Sequence, residues 1–334
     1  MEQLKYFELF AGTGIGGIAL DNIGCKNIGY SEFDKFAIQN YEANFPNRIN
    51  YGDITKINER ELPNFDILIG GSPCQNISIM RKTWVENKKV EGLNGGKSCL
   101  FFDYMRILNE KLPKWFVFEN VRNLLSSNEG EDWKTVQEMF SENYNITYKL
   151  INSSNFGIPH TRRRIYIVGQ RKDLGEFNYE FPKENELKNT VFDLLENKVD
   201  DKYYLSEKMY KTVMSWGTGG WKAKPETDLE IARPLTATMH KMHRASCDNY
   251  YHTEYKPKDK TNLRRLTPRE CARLQGLNDT YKIIVSDTQA YRLMGNAMSL
   301  NVVQAIANKL KEYILKNDSI TGVQKLENNL KSGF

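Results

Sequence analysis

The chain has 334 residues, of which 40% are hydrophobic and 27% are charged. These ordinary globular values exclude wholesale disorder and collagen-like or coiled-coil repeats, and at roughly 100–200 residues per domain they predict about two domains. The 47 basic and 42 acidic side chains leave a formal net charge of +5, which permits a nucleic-acid partner without demanding one.

The sequence has the features of a cytoplasmic protein. No apolar run approaches the roughly 18–20 residues of a membrane helix, and the first twenty residues carry Glu2, Lys5 and Glu8 and lack a plausible signal cleavage site. The five cysteines are scattered and form no CxxC pair. We therefore expect a reducing compartment, with neither a disulfide framework nor a zinc site.

Short apolar runs alternate with helical patterns in the first half of the chain. Strands are predicted at 6–10, 27–31, 65–69, 115–118 and 165–168, and helices at 18–23, 35–44 and 100–111. Continuous apolar runs bounded by turns are typical of strands that are buried on both faces of a parallel sheet. The pattern predicts an α/β fold with a doubly wound, mixed or mostly parallel sheet.

The second half of the chain differs in texture. From about residue 181 to about residue 259 it is irregular and contains several aromatic residues and three of the four histidines. We expect a first domain at 1–185, a second and smaller domain at 186–284, and a segment at 285–334 that returns to a helical period at 289–315.

Four features near the start indicate a nucleoside cofactor. The stretch 10–17 (FAGTGIGG) would let a ligand lie against bare backbone at a helix N-terminus, although alone it suits an ordinary turn equally well. Glu32 ends the second predicted strand, where an acid can accept hydrogen bonds from a ribose. Phe33 is placed to cover an adenine ring, and Asp53 to receive its amino group.

Three more features follow predicted strands or precede one. Cys74, in the stretch 70–75 (GGSPCQ), suits a nucleophile on a fixed loop better than a small buried hydrophobe. Glu119 follows the run WFVF, where it can hydrogen-bond to a substrate ring nitrogen or act as a structural cap. Arg162 and Arg164 would share one face of a strand, as partners of an anion or carbonyl or as part of a basic edge.

Taken together, these motifs resemble those of bacterial-type DNA cytosine-5 methyltransferases, in the family's order. The resemblance rests on Phe10-x-Gly12-x-Gly14, Pro73-Cys74-Gln75, Glu119-Asn120-Val121, the stretch 264–276 (RRLTPRECARLQG) and Gly295-Asn296. Two features depart from the family pattern. His160 stands where a glutamine is usual, from which we expect tuned activity, and Pro234-Leu235-Thr236 replaces the common Thr-Leu pair.

The resemblance implies a class I S-adenosylmethionine-dependent methyltransferase, which is Rossmann-like. It implies methyl transfer to carbon 5 of a flipped-out cytosine in a short duplex DNA sequence through a covalent Cys74–C6 intermediate, with S-adenosylhomocysteine as product. Segment 1–185 would be the catalytic domain, 186–284 the target-recognition domain, and 285–334 would complete the catalytic domain.

The resemblance also assigns residues to roles. The catalytic residues would be Cys74, Glu119, Arg162 and Arg164. Cofactor contacts would come from Phe10, Gly12, Gly14, Ile15, Glu32, Phe33, Asp53, Ile54, Pro73, Leu100, Asn296 and Ala297. DNA contacts would come from Gln75, Ser78, Arg81, Lys82, Arg233, His240, Lys241 and Arg244, with the charged loop 81–97 closing over the flipped base.

The expected biological setting is a restriction–modification system, or a solitary or phage methylase. A monomer is expected, together with a cognate endonuclease that makes no direct contact and no membrane partner. Three alternatives remain: a cytosine-5 enzyme acting on tRNA, a DNA-binding protein that has lost catalysis, and a nicotinamide-dependent dehydrogenase. The basic region before Arg264 favours DNA over tRNA, the intact Cys74 and Glu119 favour catalysis, and the glycine spacing disfavours the dehydrogenase.

Overall fold

The computed structural model describes residues 3–72, 100–217 and 222–331, with side chains up to residue 317. In these ranges the strands are β1 (Lys5–Leu9), β2 (Lys26–Ser31), β3 (Ile67–Gly70), β4 (Trp115–Val121), β5 (Tyr144–Asn152), β6 (Arg163–Arg171), β7 (Tyr250–His252) and β8 (Leu263–Arg265). The α-helices are α1 (Ile15–Asn22), α2 (Lys35–Asn44), α3 (Leu100–Lys111), α4 (Glu131–Ser141), α5 (Glu207–Val213), α6 (Pro268–Leu274), α7 (Asp287–Asn296) and α8 (Leu300–Lys331). Short 3-10 turns connect several of them.

Six strands form one mixed sheet in the order β2-β1-β3-β4-β6-β5. The first four are mutually parallel, whereas β6 runs antiparallel to both β4 and β5. Strands β7 and β8 form a separate antiparallel ribbon. The predicted α/β fold with a mostly parallel, doubly wound sheet is confirmed.

Both faces of the large sheet are buried, because alternate side chains point to opposite sides. On one face, Tyr6, Ile69 and Val117 pack with α1 and α8. On the other, Phe7 and Phe118 pack with α3 and α4. The continuous apolar runs in the sequence arise from this two-sided burial, and the ligand-binding edge of such a sheet lies at the carboxyl ends of its parallel strands.

The structure differs from the predicted elements in three places. Helix α1 begins at Ile15 rather than at residue 18, since Gly14 in left-handed conformation caps it. The helical stretch expected at 289–315 is two helices, separated where Ala297 adopts extended backbone angles. Strand β5 is not among the predicted strands, because this partly buried edge strand lacks a continuous apolar run.

The second half of the chain packs partly on its own core and partly on the main one. Leu205, Val213 and Leu263 belong to a small separate cluster, whereas Leu235 and Tyr251 belong to the main core. The domain limits at 186 and 284 remain a prediction. Within the described ranges, no helix is both long enough and apolar enough to span a bilayer.

Candidate active site

The turn after β1 requires glycine at a defined position. Gly14 has φ +77°, and a Cβ atom there would lie 2.6 Å from a ring carbon of Phe45. Phe10, at the end of β1, adopts φ +54°, which is rare for a bulky residue and typical of functional turns. Gly14 offers no side-chain cap to α1, but Oε1 of Glu8 accepts from the amide of Gly17 at 2.9 Å. The amides that precede Gly17 are therefore the ones suited to a polar ligand group.

Glu32 is positioned by backbone amides from two elements. Its Oε2 atom accepts a hydrogen bond from the Gly12 amide at 3.0 Å, which ties the glycine turn to the end of β2. Its Oε1 atom accepts from the amides of Phe33 and Asp34 at 2.8 and 2.9 Å. These contacts fix the carboxylate and leave lone pairs for the hydroxyl groups of a ribose.

The predicted adenine-binding residues lie around one small cavity of about 210 Å³. Phe33 is 68% exposed, so its ring is available to a ligand. The Asp53 carboxylate accepts hydrogen bonds from the Thr55 amide and hydroxyl at 3.0 and 2.8 Å, which fixes its orientation. Leu100 and Ile54 supply apolar walls. The surroundings suit a flat, partly polar ring.

A larger cavity of about 500 Å³ brings the predicted cofactor and catalytic residues together. Phe10, Glu32, Phe33 and Leu100 line both this cavity and the smaller one. Residues that line the larger cavity also include Gly12, Ile15, Asn296 and Ala297 from the cofactor prediction, and Glu119, Arg162 and Arg164 from the catalytic prediction. Its volume lies in the range of roughly 300–1,000 Å³ that is usual for ligand sites.

Glu119 forms the acidic centre of the catalytic end. It lies on β4, and its Oε1 atom is 3.0 Å from Nε of Arg164. Arg164 lies on the neighbouring antiparallel strand β6, where it is paired with Val121, two residues beyond Glu119. Burial raises the pKa of Glu119, while the positive charges of Arg164 and Arg162 oppose that rise. A carboxyl group with a raised pKa can hold a proton for a substrate.

Arg162 is buried with 3% of its surface exposed. Its Nη1 atom donates to the carbonyl of Gly295 at 3.1 Å, whereas its Nε atom has no partner among the described residues. Burial, assisted by Arg164, lowers the pKa of Arg162 to about 10, so the guanidinium stays charged at neutral pH. An unpaired buried donor beside a cavity suits a carbonyl oxygen of a ligand.

Two contacts that sequence reasoning did not assign hold the end of β3 in place. Asn120 Nδ2 donates to the carbonyl of Ser72 at 2.9 Å, and a Cβ atom on Gly71 would lie 2.7 Å from the Glu119 carbonyl oxygen. The Glu-Asn-Val motif is the available sequence signal for Asn120.

Ser72 directly precedes residues 73–99, which lie outside the described residues. These include the predicted site residues Pro73, Cys74, Gln75, Ser78, Arg81 and Lys82, and loop 81–97.

Of the predicted DNA contacts, the four in the described ranges, Arg233, His240, Lys241 and Arg244, do not line the cavity. Arg233 makes an ion pair of 2.5 Å with Glu226. His240 and Lys241 lie on a 3-10 turn, Met239–Lys241, and Arg244 follows within a few residues. Lys241 is exposed, while His240 and Arg244 are partly buried. Because they are near one another in sequence, these residues lie close together within the region 186–284, which we call the second region.

The sheet, the glycine turn, the acid after β2 and the adjoining cavity define a class I S-adenosylmethionine-dependent methyltransferase. The fold is also that of the Entamoeba histolytica methyltransferase EhMeth, with a TM-score of 0.74 and 22% identity over 94% of this chain and 99% of that one. The likeness at this level of identity concerns the fold alone.

Residues 4–312 match the model of the family described as C-5 cytosine-specific DNA methylase. The chain is 38% identical to the type II methyltransferase M1.ScrFI of Lactococcus lactis subsp. cremoris, over 94% of this chain and 80% of the relative. It is 36% identical to the type II methyltransferase M.HhaI of Haemophilus parahaemolyticus, over 91% of this chain and 93% of the relative. The chain belongs to the C-5 cytosine-specific DNA methylase family.

Membership in this family confirms three predictions. The protein is an enzyme, its substrate is cytosine in DNA, and S-adenosylmethionine is the methyl donor. The residues of this chain fit that donor. Two carboxylates with fixed orientations, Glu32 and Asp53, line two cavities that share lining residues, together with the glycine turn and the exposed ring of Phe33.

Proposed function

We propose that Cys74 is the nucleophile and that it adds to carbon 6 of a cytosine flipped out of duplex DNA. Carbon 5 of cytosine reacts poorly with a methyl group, and thiolate addition at carbon 6 makes carbon 5 electron-rich. Covalent catalysis thereby replaces one difficult step with two easier ones. A stacked base is out of reach, so the base must leave the helix at a cost of a few kcal/mol.

The observation that carries the proposal is the partly buried Glu119–Arg164 pair in the same cavity as the cofactor turn. Protonated Glu119 would donate to N3 of the cytosine as the thiolate attacks, which neutralises the charge that develops on the ring. Such proton transfer typically contributes about 10²–10⁴-fold to a rate. The position of Ser72, which Asn120 holds two residues before Cys74, supports the assignment of the nucleophile.

The two arginines would act on the other side of the base. The unpaired Nε of Arg162 is suited to donate to the O2 carbonyl, and Arg164 fixes the orientation of Glu119. Positive charge near a thiol also favours the thiolate form.

Bound S-adenosylmethionine supplies an electrophilic methyl group on a sulfonium. Residues Gly12, Glu32, Phe33, Asp53, Asn296 and Ala297, which line the two cavities, would hold it. The predicted contact Gly14 does not line either cavity and shapes the turn instead. After transfer, carbon 5 loses its proton, the carbon 6–sulfur bond breaks to restore the Cys74 thiolate, and Glu119 recovers its proton from N3. The net products are 5-methylcytosine, S-adenosylhomocysteine and one proton.

Duplex DNA that contains 5-fluorocytosine at the target position tests the chemistry. Fluorine at carbon 5 cannot leave as a proton, so we expect the adduct with the wild-type enzyme and S-adenosylmethionine to persist on a denaturing gel. Cys74→Ala should form no adduct, whereas Cys247→Ala, which removes an exposed free thiol elsewhere, should form it normally. An adduct with the Cys74 variant would refute the assignment.

We also propose that the region 186–284 selects a short target sequence, with Arg233, His240, Lys241 and Arg244 among its DNA contacts, and that the enzyme acts as a monomer. Arginine commonly reads guanine, and lysine mostly holds phosphate. Replacing a base-reading arginine should relax specificity at one position of the target. Replacing a phosphate-binding lysine should weaken binding to all DNA sequences equally. Sedimentation at the concentration used for assays tests the monomer.

The biological role we propose is protection of DNA within a restriction–modification system. Both relatives described above are named type II methyltransferases, which supports this setting. Bisulfite sequencing of DNA from expressing cells will give the target sequence. An endonuclease that cuts that sequence should then fail to cut DNA from the expressing cells. If no gene near that of the methyltransferase encodes such an endonuclease, a solitary or phage methylase is favoured instead.

A further inference from the structure

A segment of the second region lies directly beside residues 159–161, which lead into Arg162 and β6. The amide of Ala232 donates to the carbonyl of Pro159 at 2.9 Å, and the amide of Thr161 donates to the carbonyl of Ala232 at 2.8 Å. The two stretches therefore pair in parallel just before Arg162. We call 232–238 the docking segment.

His160 fastens the docking segment at a second point. The imidazole is fully buried, and its Nδ1 atom lies 3.0 Å from the carbonyl oxygen of Leu274, at the end of α6. Its Nε2 atom accepts a hydrogen bond from the amide of Leu235 at 3.1 Å. A carbonyl only accepts and an amide only donates, so the ring is the neutral tautomer with its proton on Nδ1. Burial lowers the pKa of His160 to about 3, which agrees with a neutral ring.

Gly295 brings the docking segment against the catalytic arginine. Its carbonyl oxygen accepts the hydrogen bond from Arg162. A Cβ atom on Gly295 would lie 2.3 Å from the Ala237 nitrogen and from the Thr236 carbonyl carbon, so the two backbones are in contact. Asn296 and Ala297, which follow directly, line the cofactor cavity.

We propose that His160 and Gly295 are positioning residues that couple target recognition to catalysis through the docking segment. The proposal rests on the DNA methylation proposed above. Gly295 contacts both the backbone of the docking segment and Arg162, and it directly precedes Asn296 and Ala297 of the cofactor cavity. His160 itself does not line the cavity. The position of the second region on its target therefore sets the position of the Arg162 guanidinium on the cytosine. A near-cognate duplex, which seats the second region imperfectly, would misplace Arg162 and react slowly.

The test compares His160→Gln with His160→Asn in the full chain. Glutamine offers both a donor and an acceptor on a long side chain, whereas asparagine is one carbon shorter and cannot reach both Leu274 and Leu235. The target is first read by bisulfite sequencing. The turnover number and KM are then measured on the cognate duplex and on duplexes with one altered base pair, together with the affinity for S-adenosylmethionine.

We expect His160→Asn to lower the cognate turnover number about 10- to 100-fold, as for a misplaced catalytic group. The turnover number on the altered duplexes should fall less, so the ratio of cognate to altered turnover, which measures discrimination, becomes smaller. The affinity for S-adenosylmethionine should stay within about twofold of wild type. His160→Gln should restore most of the discrimination. The control is Leu310→Ala, a core substitution in α8, which should lower the melting temperature without narrowing discrimination.

Gly295→Ala provides a second variant, because its added methyl group must displace the docking segment while Arg162 is retained. Unchanged discrimination in both His160→Asn and Gly295→Ala would overturn the coupling. So would an equal narrowing in Leu310→Ala. Failure of the underlying chemistry is distinct, since the wild-type enzyme would then form no adduct with 5-fluorocytosine DNA.

Discussion

Asn120 Nδ2 lies 2.9 Å from the carbonyl oxygen of Ser72 and ties β4 to the end of β3. The Asn120 Oδ1 atom accepts from the amide of Val121 at 2.8 Å, which fixes the amide group in the orientation that donates to Ser72. The contact joins the element that carries Glu119 to the chain that leads into Cys74. This side chain therefore adds to the β3–β4 pairing a contact at the point where the chain leaves the sheet toward residue 73.

Replacing Asn120 with Asp should reduce turnover more than cofactor binding. A carboxylate cannot donate to the Ser72 carbonyl and repels it, so the chain before Cys74 loses its anchor. We expect a loss of about 10- to 100-fold in the turnover number, measured with tritiated S-adenosylmethionine on duplex DNA. Asn145→Asp on the edge strand β5 is the matched control and should retain activity. Wild-type turnover in Asn120→Asp would refute the anchoring role.

Glu119→Gln should remove a pH dependence as well as activity. Burial raises the pKa of Glu119, and the mechanism needs its protonated form, so wild-type turnover should fall as the pH rises through that raised pKa. Glutamine can contact N3 but cannot deliver a proton, so we expect a loss of about 10²–10⁴-fold. The residual activity should lack the alkaline decline. A decline that persists in Glu119→Gln belongs to another group.

Phe33→Ala should weaken cofactor binding without affecting the fold. The ring is 68% exposed, so its removal leaves no hole in the core. Loss of an aromatic contact of about 1 kcal/mol corresponds to roughly a fivefold to tenfold weaker affinity. Calorimetric titration of the full chain with S-adenosylhomocysteine will measure it. Ile49→Ala, which also removes an exposed apolar side chain, should bind normally, and equal affinities in the two variants would contradict the adenine-stacking role.

Glu8 makes stability depend on pH. Burial raises its pKa from an ordinary 4.5 to about 7, so the folded chain keeps a proton that the unfolded chain releases above pH 4.5. The contribution of Glu8 to stability is greatest below that pH and falls by about 3 kcal/mol as the pH rises to 7. Urea unfolding at about pH 5 and about pH 8 should show this decline in the wild type. It should be reduced in Glu8→Gln and unchanged in Glu254→Gln, an exposed site.

Arg264 and Glu270 form a buried bidentate ion pair at 2.8 and 2.7 Å. Glu270 also accepts from the Thr267 amide and so caps α6. Removing either partner leaves a buried charge, so Arg264→Met and Glu270→Gln should each cost about 3–5 kcal/mol in urea unfolding. The double variant should lose less than the sum of the two. Additive losses would mean that the two side chains act independently.

The sequence predicts those parts of the fold whose periodicity is unambiguous. The helix predicted at 35–44 has the same bounds in the structure. It begins there because Asp34 caps it and accepts from two of its amides. Strand β5 is not predicted, since it lies at the edge of the sheet, is only partly buried and has no continuous apolar run. The reversal of β6 was not predicted either, because strand direction depends on tertiary pairing rather than on local pattern.

Site prediction has a similar limit. Glu32, Glu119 and the arginines follow or precede recognisable strands, so their convergence on one cavity could be expected from topology. The roles of His160 and Gly295 could not, because each depends on a contact with the docking segment, which lies far away along the chain. A sequence pattern shows that such residues are unusual but does not identify their partners.

The cofactor cavity is lined by residues that lie far apart along the chain, among them Phe10, which follows β1, and Asn296, which ends α7. During synthesis, a nascent polypeptide that has emerged only as far as α6 lacks part of this wall. Tight retention of the methyl donor must therefore await the synthesis of α7, and we expect products that terminate before α7 to be inert toward DNA.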